Sequence, residues 1–211
     1  MAKMQKYWDE RYRAQGKRTV GNVALDEEGF REVTERVGKV IREKVGHLLK
    51  EKIVLDFGCG FGRNIPVLLE FALIVYGIDV SKWAIQEAAE YEPMGIYNLY
   101  DGSSIPFQDG FFEAIFCWTI LQHIPEEEIE KVAKEILRVL SPEGYLIAYE
   151  NVSTWREDKS HIWFRDVPTY CKLFDQCELI SGRVISDFDN TQEKEAHCLM
   201  VFQKRLPGPI R

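Results

Sequence analysis

Apolar residues recur along this chain with two alternating periods. Over residues 29–49 they fall at Phe30, Val33, Val37, Val40, Ile41, Val45 and Leu48, a 3.6-residue spacing that predicts an amphipathic helix. At Ile53-Val54-Leu55 the pattern changes to a short β-branched run closed by Asp56 and glycines, which reads as a buried strand. A helix over 65–71 follows, with Pro66 tolerated in its first turn. A strand over 73–78 closes at Asp79, and Ser81 can cap a helix running to about Tyr91. A third strand over 96–100 closes at Asp101, and a fourth covers 111–117. Pro125 and Glu126-Glu127-Glu128 open a helix to Leu140, whose apolar face is Ile129, Val132, Ala133, Ile136, Leu137 and Leu140. Pro142 and Gly144 then predict a turn into a strand over 145–150. Five short strands alternating with helices or crossovers predict an α/β, doubly wound, mostly parallel sheet covered on both faces.

The flanks are less regular. Tyr7, Trp8, Arg11 and Tyr12 can share one side of a short helix that Gly16 and Gly21 interrupt. Residues 1–50 therefore read as a helical cap integral to a core over 51–211. Within that core, 151–170 is polar and aromatic and reads as a lid-like insertion. A helix over 168–176 and two late strands over 179–185 and 195–203 complete the expectation.

The length, 211 residues, suits one domain at about 100–200 residues per domain. The net charge of −7 argues against a polyanion-binding surface as the main feature. The charge is uneven: residues 1–50 carry a local +4 and residues 51–211 a local −11. No run reaches the roughly 18 apolar residues of a membrane span, and residues 1–9 have no apolar signal core. Five irregularly spaced cysteines fit a reducing compartment, so the expected location is cytoplasmic, with no membrane.

The strongest local motif is Val54-Leu55-Asp56-Phe57-Gly58-Cys59-Gly60-Phe61-Gly62-Arg63-Asn64, placed where a strand gives way to a helix. Glycines there allow a tight turn and close ligand approach, and helix-start amides favour an anionic group. A phosphate-cradling ATPase loop needs Gly-Lys-Ser/Thr, which is absent. A dinucleotide loop needs its third small residue at 63, where Arg stands. The segment resembles motif I of the class I S-adenosylmethionine (SAM) dependent methyltransferases, an apolar strand followed by acidic-x-Gly-x-Gly-x-Gly.

The resemblance continues for nearly the whole chain and implies that family's seven-stranded, Rossmann-like sheet with a late antiparallel strand. Asp79, in Val75-Tyr76-Gly77-Ile78-Asp79-Val80-Ser81, matches the acid that holds the adenosyl ribose. Asp101, in Asp101-Gly102-Ser103-Ser104-Ile105-Pro106-Phe107, matches the acid on the adenine amine. Trp118 and Thr119 match residues beside the methionine part of the cofactor. The implied cofactor set is Asp56, Gly58, Gly60, Gly62, Asp79, Val80, Asp101, Gly102, Ser103, Trp118 and Thr119, with SAM as donor and S-adenosylhomocysteine as product.

The implied reaction is methyl transfer to oxygen or nitrogen of a small molecule. His123, after the fourth strand, is the candidate general base; a backbone-bonding histidine at a helix entrance fits the same position. Acceptor-binding candidates are Tyr7, Trp8, Tyr12, Trp155, His161, Trp163, Arg165 and Tyr170. The aromatic members fit a substrate wall or a satellite core, and Arg165 fits an anion anchor or a salt bridge. No metal is expected: Cys171 and Cys177 lack a second pair, and Asp187, Asp189 and Asn190 lack a full ligand set. Partners are expected to be a small-molecule methyl acceptor and no nucleic acid, with the chain a monomer or homodimer. RNA or protein methylation, or cofactor binding without turnover, are the alternatives.

Overall fold

The computed structural model describes residues 2–17, 26–152, 161–184 and 196–208. Its strands form one seven-stranded sheet in the order β3-β2-β1-β4-β5-β7-β6. The chain divides into two compact units, Met1–Pro106 and Phe107–Arg211.

In the first unit, helix α1 (Ala2–Gln15) precedes α2 (Glu27–Val40). Asp26 caps α2 by accepting from Gly29 N at 2.9 Å, so the helix starts two residues before the apolar period does. The helical run continues through a π turn (Ile41–Val45) into α3 (Gly46–Leu49). Strand β1 (Ile53–Phe57) lies parallel to β2 (Ile74–Asp79), which lies parallel to β3 (Ile96–Leu99). Helices α4 (Ile65–Leu69) and α5 (Lys82–Tyr91) form the crossovers, and Ser81 caps α5 through Ala84 N. Asp56 does not end its strand as the pattern suggested. It pairs in register with Gly77 and is itself buried, because β1 continues to Phe57.

Gly77 holds the space that the loop after β1 needs. A Cβ there would lie 2.9 Å from Cys59 Sγ and 3.0 Å from both Ile65 Cδ1 and Tyr97 Cδ1. Gly77→Ala is expected to cost about 1–3 kcal/mol through overpacking. A thermal melt tests this; an unchanged Tm would mean that these three side chains yield freely.

In the second unit, β4 (Phe112–Trp118) leads to a 3₁₀ turn (Leu121–His123) and α6 (Glu126–Val139). The face of α6 carrying Ile129, Val132, Ala133, Ile136 and Leu137 is buried, and acids in its first turn suit the dipole. Strand β5 (Leu140–Asn151) is parallel to β4. The turn expected at 142–144 is a bulge in β5: Phe112 pairs Leu140, but Ala114 pairs Tyr145, and Glu143 takes φ +61°. Helix α7 (Val167–Leu173) is capped by Asp166 and ends three residues earlier than expected. Strands β6 (Cys177–Val184) and β7 (His197–Lys204) are antiparallel to each other, and β7 is antiparallel to β5. Among the described residues, no helix is long and apolar enough to cross a membrane.

Candidate active site

The first unit brings the glycine loop against the end of β2 and its acid, Asp79. Gly58 N and Cys59 N both donate to Ile78 O, at 2.8 and 3.0 Å, so the chain leaving β1 folds over the end of β2. Gly58, Gly60 and Gly62 have φ of +75°, +55° and +79°, a region that side chains with a Cβ enter at a cost. Asp79 organises this turn. Its Oδ2 accepts from Gly60 N at 2.9 Å and its Oδ1 from Ser81 N at 2.8 Å. Burial raises the Asp79 carboxyl, while the amides of Ser81, Gly60 and Val80 oppose the rise. Val80 thus enters through its backbone. Asp101 sits two residues beyond β3 in a local turn: its Oδ1 accepts from Ser103 N (2.7 Å), Ser103 Oγ (2.8 Å) and Ser104 N (3.1 Å), which lowers its pKa. Gly102, at φ +84°, permits that turn.

Asp56 lies beneath the loop rather than on it. Burial pushes its carboxyl up to about 7, against the pull of Arg63. Burial lowers Arg63 to about 10, and Asp56 opposes that fall. Asp56 Oδ2 and Arg63 Nη1 are buried without a hydrogen-bond partner among the described residues. This leaves one acceptor and one donor unsatisfied beside the glycine turn.

Helix α1 docks on the same end of α5. Asp9 Oδ1 accepts from Ser81 Oγ at 3.1 Å and Lys82 N at 3.2 Å. Tyr7 and Trp8 meet edge to face at 5.2 Å, and Tyr7 keeps 37% of its surface exposed. Tyr12 departs from the expected acceptor role. Its ring packs with Phe61 and Ala84 in a buried cluster, and its hydroxyl donates to Glu87.

In the second unit, Trp118 closes β4 and stacks on its register partner Tyr149 at 4.1 Å. Thr119 leaves the sheet with φ +52° and donates its N–H to Tyr149 O at 2.7 Å. The 3₁₀ turn follows, and His123 Nδ1 lies 2.8 Å from His161 O. The His123 and His161 rings stack at 5.7 Å. Trp163 N donates to Gln122 O at 2.7 Å. Residues 161–165 are therefore bonded to the turn after β4. Trp155 lies outside the described residues, as do Asp187, Asp189 and Asn190.

Arg165 does not offer its guanidinium to an acceptor. It is 4% exposed, and it donates to Leu121 O, Ile124 O, Trp163 O and Glu126 Oε2 at 2.7–3.3 Å. Tyr170 is fully buried and cannot line a substrate wall. The unexpected residue is Glu150. It is wholly buried and accepts from the backbone N–H groups of Ile120, Leu121 and Gln122. An acid inside the apolar run Tyr145-Leu146-Ile147-Ala148-Tyr149-Glu150 is the signal that marks it. Arg63 and Asp9 were also not anticipated. Among the described residues, no three His, Cys, Asp or Glu side chains gather as a metal site.

The buried acids set an expected pH response. Burial raises Glu150 to about 7 and Asp56 to about 7, and raises Asp79 as well. A group whose folded pKa exceeds its unfolded pKa adds stability that is full below about pH 4 and lost as pH rises through about 7. Glu70, Asp101 and Asp166 are lowered, so their contribution is lost only as pH falls below about 4. The Tm of the ligand-free protein is expected to rise from about pH 8 to about pH 5 and then fall. A Tm that climbs steadily from pH 5 to pH 8 would contradict these assignments.

The chain is similar in sequence and in fold to known methyltransferases. The family described as methyltransferase domain matches residues 55–148. A botryococcene C-methyltransferase of Botryococcus braunii is 33% identical over 115 residues, covering 51% of this chain and 30% of that protein. The sterol 4-C-methyltransferase strm-1 of Caenorhabditis elegans is 31% identical over 113 residues, covering 51% of this chain and 33% of that protein. The matches thus span about a third of those relatives' length. The crystal structure of a SAM-dependent methyltransferase from Methanosarcina mazei shares the fold, with a TM-score of 0.67 at 20% identity over 78% of this chain and 98% of that one. Residues 55–148 match a methyltransferase domain, and the chain shares its fold with a SAM-dependent methyltransferase.

Proposed function

We propose that this chain transfers a methyl group from SAM to a small-molecule acceptor. The observation that carries the reading is the glycine turn tied to Asp79, with Asp56 Oδ2 and Arg63 Nη1 unsatisfied beside it. An unsatisfied acceptor and an unsatisfied donor suit the ammonium and carboxylate of an amino-acid ligand. Asp79 and Asp101 are assigned to ribose and adenine, and the remaining lone pairs of each carboxylate supply the acceptors. When bound, SAM supplies a methyl group already activated on a sulfonium whose leaving group is a neutral thioether.

The protein's own task is alignment, exclusion of water and removal of one proton. His123 is assigned that proton. A carbonyl only accepts, so His161 O requires a hydrogen on His123 Nδ1, and the neutral ring then carries its lone pair on Nε2. Oxygen or nitrogen acceptors suit this base directly. Carbon is the second reading, favoured by the C-methyltransferase names of the two relatives above. Methylating an alkene carbon also leaves a cation that must lose a proton. Tyr7 and Trp8 in the first unit and His161 and Trp163 in the second remain the acceptor-binding candidates. Trp118 and Thr119 stay assigned to the cofactor.

Calorimetric titration with SAM and with S-adenosylhomocysteine tests the cofactor reading. Binding of both at micromolar Kd is expected. Failure of the folded protein to bind either one would remove the proposal's basis.

A further inference from the structure

We propose that Glu150 and Arg165 are positioning residues that clamp the turn after β4 from its two polar sides and thereby fix the tautomer of His123. The inference rests on the reading of His123 as the base. The turn Leu121–His123 is too short to satisfy its own backbone, so its first amides and its carbonyls need partners. Glu150 supplies the acceptors: Oε1 takes Ile120 N at 3.0 Å and Leu121 N at 2.9 Å, and Oε2 takes Gln122 N at 3.0 Å. Arg165 supplies donors: Nη1 to Leu121 O at 3.0 Å and Nη2 to Ile124 O at 2.7 Å. The carbonyl between them, Gln122 O, accepts from Trp163 N, while Gln122 Oε1 accepts from Asn151 N at 2.9 Å.

The same stretch, 161–165, carries the carbonyl that binds His123 Nδ1. Arg165 thus holds the turn and, by its bond to Trp163 O, the segment that reads the imidazole. Both charged groups are almost fully buried. Burying opposite charges merely to tie two segments together is often no better than apolar packing. Here the two charges complete a backbone arrangement that apolar side chains cannot, since donors and acceptors on one turn are met separately.

The test uses the full chain with ¹⁵N-labelled histidine at pH 8, where imidazole is neutral, and needs no acceptor. Long-range ¹⁵N–¹H correlation of the wild type is expected to show His123 as the single Nδ1–H tautomer. In Glu150→Gln, which keeps the volume but turns an amide NH₂ toward backbone donors, His123 should become a tautomer mixture. Amide exchange at Ile120, Leu121 and Gln122 should speed up by about tenfold or more, with strand β7 unchanged. Glu150→Asp should fall between the two. If Glu150→Gln does not fold, Arg165→Met gives the same comparison from the carbonyl side, with the same release of His123 expected. A folded variant that keeps the single tautomer and the protected amides would overturn the clamp, as would a wild type with His123 protonated on Nε2. These readouts are independent of methyl transfer. Failure of the base reading would show instead as an active enzyme indifferent to His123→Ala.

Discussion

Replacing Asp79 with alanine is expected to weaken SAM binding by about 10²–10⁴-fold, the largest effect of any single change in the first unit. Two charge-assisted hydrogen bonds to the ribose, each worth roughly 1.5–3 kcal/mol, are lost together. The same substitution strips Gly60 N and Ser81 N of their acceptor, so the glycine turn loses its tie to the start of α5. Asp79→Asn separates the two contributions. The amide keeps one acceptor oxygen and replaces the other with a donor, so one of the two backbone contacts survives, the other sets two donors against each other, and the charge that strengthens the ribose bonds is lost. Its affinity should lie nearer Asp79→Ala than the wild type. Titration with S-adenosylhomocysteine measures both variants, and near-UV circular dichroism checks the fold. Unchanged affinity in a folded Asp79→Ala protein would reject the assignment.

His123→Ala is expected to slow transfer by about 10²–10⁴-fold with little change in cofactor affinity, as for removal of a positioned base. His123→Gln should not rescue the rate, because an amide neither takes the proton nor bonds His161 O in the same geometry. Single-turnover measurement on the identified acceptor separates the chemical step from product release. A drop of only a few-fold would leave His123 as a backbone-bonding side chain and alignment as the main catalytic device.

Strands β1 and β4 were legible because they are buried on both faces and so appear as nearly unbroken apolar runs. The π turn at Ile41–Val45 was not, because the apolar period runs through it with Val40, Ile41 and Val45 still buried. Pro142 and Gly144 suggested a turn, yet β5 absorbs the same residues as a bulge, an outcome set by pairing with β4. The glycine loop was legible from its place between a strand and a helix, whereas the roles of Asp79 and Asp101 are what the resemblance to the methyltransferases implies. Arg165 was not: a lone arginine after an aromatic run fits an anion anchor equally well, and carbonyls some 40 residues earlier decide its role. Tyr12 shows the same limit. An aromatic stripe on a helix fits a cover over a ligand or a core, and Phe61 and Ala84 make it a core.

The most direct test is to incubate the protein with methyl-labelled SAM and pooled small metabolites and to follow products by mass spectrometry. A labelled small product formed in step with S-adenosylhomocysteine is the expected result. Label appearing only in tRNA, DNA or protein, or S-adenosylhomocysteine bound but never formed, would contradict the account.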